Sequence, residues 1–494
     1  MTGAEAAGAP GQAASSSQAR TSEQSGSSEQ EGPTGSAMDF TAHVGRTGPP
    51  VLARHAVNEP MIAHWCDAMG DANPVYTDVG TAAASVHGGI VAPPTMLDVW
   101  DRAGLLAMRN PASPRTEVLR SLFSAGFDSI VAVNTELEFP RYLRPGEMLS
   151  NVEVLESVSP EKTTTRGPGH FVTSRHRYTN QNGEHAGDLM FRILVFRPEA
   201  PVPRAGPAIS SPEPSPDPAL RPAPAINADN AFFWEGARRH ELRIQRCESC
   251  GRLLMPPGPR CPCGSFEMGW NVASGSGRLY SFAVVEHPRV EGFSYPLCVA
   301  LVELDEGTRL VANLVGIERD ERAIGMPLEL CWLDTTGPGP PLPQFRAPAP
   351  KRRSDTLALS DVHVGDSLEL CSLPITTTLV VAGAIATRDY TAVHHDRAVA
   401  KREGSADVFL NINTSVGLLQ RVVSDWAGPE AIFRSVRVRL GAPAYPGDLL
   451  TFSGRVSSVD FSTGVAAISL KASDSLGDHA VATVELSLPS GQAL

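Results

Sequence analysis

The sequence predicts an α+β chain in which two similar blocks, each a helix followed by an antiparallel sheet, flank a small cysteine-bearing all-β block. A strand-turn-strand recurs near both ends, four cysteines cluster in the middle, and two proline-rich stretches separate the three parts. One long helix covering one face of an antiparallel sheet is a two-layer arrangement that buries an apolar stripe against an apolar face.

Length and composition set the outer bounds. At roughly 150 residues per domain, 494 residues suggest about three domains. A net charge of -12 argues against nucleic acid as the main partner, because phosphate binding needs an excess of Lys and Arg. No run of 18 apolar residues is present, so no membrane span is expected. Residues 1–37 are mostly Ala, Gly, Ser, Gln and Glu, without the apolar region of a signal peptide, and read as a disordered tail. Eight cysteines, four clustered and four scattered in apolar surroundings, suit a reduced cytoplasmic compartment and one metal site rather than a disulfide framework. Prolines recurring every few residues mark linkers at 201–225 and 337–356, leaving blocks at 38–200, 226–336 and 357–494.

The outer blocks read as a duplication. ELEFPRYLRPGEML at 136–149 corresponds to RVRLGAPAYPGDLL at 437–450, each a strand running into a Pro-Gly-acid turn and another strand. Proline sets φ for the turn and glycine supplies the positive φ, so the match is one of turn chemistry. Upstream, GDANPVYTD at 70–78 corresponds to RDYTAVHHD at 388–396. PTMLDVWDRAGLLAM and NTSVGLLQRVVSDW then carry apolar positions at helical spacing, and alternating β-branched segments close each block.

In the middle block, Cys247 and Cys250 precede Cys261 and Cys263, each pair beside a glycine turn. Four thiolates can converge on a tetrahedral ion and leave no position for water, which makes a structural site. Zinc is the natural occupant, and iron would accept the same ligands. Four β-rich segments from 275 to 334 suffice for a small barrel, and acidic residues outnumber basic ones there, so a nucleic-acid groove is not expected. The run FFWEGARRHELRIQRCESCGRLLMPPGPRCPCG and the strands after it resemble the zinc-ribbon plus OB-fold domains found beside thiolases and hydratases. That resemblance implies handling of acyl-CoA or docking of a thiolase-like partner enzyme.

Asp389 and His394 are separated by four residues within ATRDYTAVHHDRAVA. This segment resembles the signature Gly-Asp-x-Asn-Pro-x-His-x-Asp of the MaoC-like hydratase 2 family of hot-dog folds. Asp389, His394 and Asp396 stand in register with its aspartates and histidine, whereas Arg388 replaces the glycine and Thr391-Ala392 the Asn-Pro pair. The resemblance implies hydration of a 2-enoyl thioester: Asp389 would orient and activate water, with His394 as partner and proton carrier. An enolate oxygen develops on the thioester, and a donor at a helix N-terminus, with Asn413 as the candidate, would stabilise it. In the first block Gly70, Asp71, Asn73, Pro74 and Asp78 keep the signature, yet Tyr76 stands where the histidine belongs. A phenol is a poor acid or base near neutrality, so this copy reads as non-catalytic.

The order hot-dog, zinc ribbon with OB-fold, hot-dog resembles a fusion of the two subunits of the actinobacterial steroid side-chain hydratase. It implies a steroid CoA thioester as substrate, a thiolase-like aldolase docked on the OB domain, and pairing of two chains. CoA phosphates need cations, for which Arg397, Lys401 and Arg402 are candidates. Two other readings stay open: a scaffold presenting its zinc-ribbon module to a partner, and a dehydratase of fatty or polyketide acyl thioesters.

Overall fold

A computed structural model describes residues 38–105, 113–198, 220–317, 319–334 and 339–490. The tail read at 1–37 lies outside the described residues, as does nearly all of the first linker.

The duplication appears as two sheets joined edge to edge. Strands Val51–Leu52, Ser129–Glu138, Ser150–Val158, Lys162–Thr164, Gly167–Thr179 and His185–Phe196 form the first; Cys371–Pro374, Ile432–Leu440, Leu449–Asp460, Val465–Asp474 and Gly477–Ser487 form the second. Antiparallel pairing of Ser129–Glu138 with Ile432–Leu440, Leu137 opposite Val436, makes them one 11-stranded sheet. The repeated turns match bond for bond. Gly146 and Gly447 adopt φ +94° and +97°, and their N–H groups donate to Val57 and Ile375 at the same 2.8 Å.

Ahead of its long strands each block carries a helix, Glu59–Met69 and Thr377–Ala386. Asn58 caps the first by accepting from Met61 N, and Thr376 caps the second by accepting from Leu379 N, as expected of short polar side chains at this position. The long helix differs between the blocks. In the second it runs Ile412–Ala427 with 14 of its residues buried. In the first the helix expected over PTMLDVWDRAGLLAM is not formed in the described residues: only a 3₁₀ turn, Pro94–Met96, appears before 97–105 continue irregularly. Tertiary partners override the local periodicity. Thr95 donates through N and Oγ1 to Gln420 Oε1, Asp98 accepts from Asn413, and Asp101 accepts from Asn151.

The middle block is a three-stranded ribbon (Arg243–Cys247, Leu253–Leu254, Met268–Val272) followed by a closed five-stranded barrel. One barrel strand, Leu342–Arg346, lies within the stretch read as a linker, 337–356, which is therefore only partly one. Phe345 of this strand is fully buried in the barrel, and apolar burial outweighs the proline content that suggested a spacer.

Helix Ile412–Ala427 packs so closely on helix Glu59–Met69 that a Cβ on Gly417 would lie 2.8 Å from Trp65 and 2.9 Å from Met69 Sδ. Gly417→Val should therefore destabilise the chain by about 1–3 kcal/mol through overpacking, read as a lowered midpoint in denaturant.

Candidate active site

Asp389 follows directly on helix Thr377–Ala386, and its N–H donates to Ala384 O at 2.9 Å. The preceding Arg388 turns the chain with φ +54°, as Gly70 does in the first block with φ +63°. Thr391 then leads into the 3₁₀ turn Ala392–His394, and Asp396 caps helix Arg397–Arg402 by accepting from Ala398 N and Val399 N. Asp78 does the same in the first block, accepting from Thr81 N. The second aspartate of the signature thus serves the fold, while the first faces the site.

The carboxylate of Asp389 is held by two residues. Thr391 Oγ1 donates to Oδ1 at 2.7 Å, and Asn411 Nδ2 donates to Oδ2 at 3.2 Å. Asn411 also caps helix Ile412–Ala427 by accepting from Thr414 N, so one side chain ties the helix start to the candidate base. Nothing in the signature pointed to Asn411; its place just before an apolar helical run is the cue. His394 is buried and its Nδ1 lies 2.8 Å from Phe409 O, an acceptor only, so Nδ1 carries the proton and Nε2 keeps its lone pair. Nε2 lies 3.6 Å from Asp389 Oδ2, too far for a direct hydrogen bond and suitable for one oxygen held by both.

Electrostatics set opposite protonation preferences around this gap. Burial alone would raise the Asp389 carboxyl, but Arg102, the His394 ring and Thr391 outweigh it and hold the group below the ordinary carboxylate range. Burial depresses His394 more strongly than Asp389 and Phe409 O lift it, so the imidazole stays neutral near pH 7.

Arg102 comes from the first block, in the segment expected as helix. It donates to Asp98 Oδ2 at 2.5 Å and to Asn413 Oδ1 at 3.1 Å, and Asn413 Nδ2 returns bonds of 2.8 and 2.9 Å to Asp98. The side chain of Asn413 is therefore committed across the seam. Any donation to substrate from this position falls to the backbone N–H groups at the helix start, which have no intrahelical acceptor. Val51, Leu52, Arg54 and residues 101–105 line a cleft of about 750 Å³ where the first block lacks its helix.

The corresponding site in the first block is closed. Tyr76 is buried and hydrogen-bonded to Tyr142, which in turn accepts from Phe433 N. Asp71 is packed against Gln420, Arg421 and Asp425, and burial pushes it up to about 6. Of the cations proposed for CoA, Arg397 is engaged by Asp407 and Thr377, whereas Lys401 and Arg402 are exposed at the end of their helix.

In the ribbon, Sγ of Cys247 and Cys263 lie 3.6 Å apart, as do those of Cys250 and Cys261, and all four fall within 4.8 Å of one another. Tetrahedral thiolates at a Zn–S distance of about 2.3 Å would stand roughly 3.8 Å apart, so the four cysteines fit a structural zinc ion.

Residues 42–189 match the family described as the FAS1-like dehydratase domain region, 234–269 the ChsH2 rubredoxin-like zinc ribbon domain, and 270–333 the ChsH2 C-terminal OB-fold domain. A probable enoyl-CoA hydratase alpha subunit of Thermomonospora curvata is 46% identical over 318 residues, covering 63% of this chain and 97% of that one. Both subunits of the 3-oxo-4,17-pregnadiene-20-carboxyl-CoA hydratase of Mycobacterium tuberculosis also align. The alpha subunit is 39% identical, covering 59% of this chain and 92% of its own; the beta subunit is 50% identical, covering 22% and 84%. A solved MaoC-like dehydratase shares the fold at 17% identity, with a TM-score of 0.50 over 91% of this chain and all of that one. No helix among the described residues is long and apolar enough to cross a membrane.

The ribbon geometry predicts one zinc ion per chain by elemental analysis. Cys261→Ser, which removes a buried ligand, should lose most of it and expose the ribbon to protease.

Proposed function

The chain belongs to the enoyl-CoA hydratase family, and we propose that it hydrates a bulky 2-enoyl-CoA, with a steroid carrying an unsaturated C17 side chain as the acyl group. The observation that carries this is the Asp389–His394 gap, which presents one ionised carboxylate oxygen and one bare imidazole nitrogen to a single water.

In this reading the pair removes a proton from water as its oxygen bonds to C3. The C2–C3 π electrons move onto the thioester oxygen, and the resulting enolate collapses as C2 takes a proton back from the pair. Atoms and charge balance without a cofactor. The N–H groups of Ile412 and Asn413, at the positive end of a 16-residue helix, are the donors assigned to the enolate oxygen. Arg102 keeps Asp389 ionised, so the catalytically silent block contributes a charge to the working one.

A bulky acyl group is supported by the steroid thioester named in the Mycobacterium tuberculosis relatives. Under the same reading Arg397, Lys401 and Arg402, just past His394 in sequence, are candidate cations for CoA. The ribbon and barrel, with Phe266, Val311 and Ile324 strongly exposed, would dock a thiolase-like aldolase, and two chains would pair.

Loss of the conjugated enoyl-thioester absorbance tests the reading. Asp389→Asn and His394→Ala should each slow hydration by about 10²–10⁴-fold, and a steroid enoyl-CoA should outpace a straight-chain one. Turnover of the straight-chain substrate in preference would favour the fatty or polyketide reading. Because the working form needs Asp389 ionised and His394 neutral, and both pKa values are depressed, kcat/KM should be flat near neutrality. It should fall only below the ordinary histidine value of 6.5. Arg102→Met removes a cation that depresses both groups, so the His394 pKa should rise and carry that acid limb to higher pH.

A further inference from the structure

Beside the catalytic pair stand two arginines that the hydration chemistry does not use. Arg388 holds a left-handed φ of +54° where the related signature has glycine. A non-glycine residue keeps such a backbone only when its surroundings impose it, and these positions gather at ligand sites. Its Nε is buried without a hydrogen-bond partner. The guanidinium reaches across the seam toward Gly104 of the first block: Nη2 is 4.0 Å from where a Cβ on Gly104 would sit. Arg54 approaches the same point from its own side, with Nη1 at 3.0 Å.

Two guanidinium groups therefore crowd one stretch of glycine backbone at the cleft that Arg54, Arg102 and Gly104 line. Nearby carboxylates are otherwise engaged. Asp98 is taken by Arg102 and Asn413, and Asp101 by Asn151 at 2.7 Å. Like charges converging without an acid between them leave a place for an external anion, and the planar guanidinium fork matches phosphate oxygens. Gly104 has no side chain to fill that place.

Resting on the hydratase reading, we propose that Arg54 and Arg388 form a clamp, one arginine from each block, for the phosphate groups of the CoA thioester. Substrate would then be held at its nucleotide end by both halves of the chain.

Calorimetric titration of the full chain with free CoA and with pantetheine, which lacks the phosphates, tests this without turnover. Arg54→Met and Arg388→Gly should each weaken CoA by about 10- to 100-fold and leave pantetheine as in wild type. Arg388→Gly also relieves the left-handed backbone, so its melting temperature should not fall, which separates lost binding from lost structure. Unchanged CoA affinity in both variants, equal weakening of pantetheine, or loss of CoA only in Lys401→Ala/Arg402→Ala would overturn the clamp. A chain that binds CoA through the arginines yet hydrates nothing would sink the hydration reading and leave the clamp standing.

Discussion

Helix Ile412–Ala427 is the element on which the rest depends. It is buried on nearly every side, yet it carries Asn413, Thr414, Ser415, Gln420, Ser424 and Asp425. Buried polar groups must be satisfied, and here the partners come from both blocks. His479 takes Ser415, Asp98 takes Asn413, Thr95 takes Gln420, and Asn73 takes Ser424. A helix of this kind is not covered by one sheet alone, and the first block forms its second wall. The same requirement brings Arg102 to the Asp389 carboxylate.

The two signature loops show how one scaffold separates folding from chemistry. Both use a left-handed residue, an aspartate whose N–H closes the preceding helix, and a second aspartate that caps the next one. What differs is the occupant of one position. His394 faces a gap beside Asp389, whereas Tyr76 fills the equivalent space and bonds to Tyr142. With the phenol in place Asp71 loses access to water, and burial rather than a partner sets its proton affinity.

Much of this was legible in residue order. The Pro-Gly-acid turns revealed the duplication because a turn states its backbone requirement in its residues. Spacing likewise revealed the four cysteines and the Asp389–His394 pair. The missing helix over 94–105 was not legible, since its apolar spacing is helical and only contacts hundreds of residues away pull it apart. Arg102 and Asp98 were hidden for the same reason. The Asn413 side chain points into the seam, and Phe409 acts through its carbonyl, a group every residue has. Proline content concealed the barrel strand Leu342–Arg346, whose worth lies in one buried phenylalanine.

The strand pair Ser129–Glu138 and Ile432–Leu440, which in a two-subunit enzyme would be an interface between separate polypeptides, is here internal to one chain. Assembly of the site is then a unimolecular event. Dilution cannot separate its halves, one transcript sets their ratio at unity, and an orphan half with a naked sheet edge is never released to aggregate.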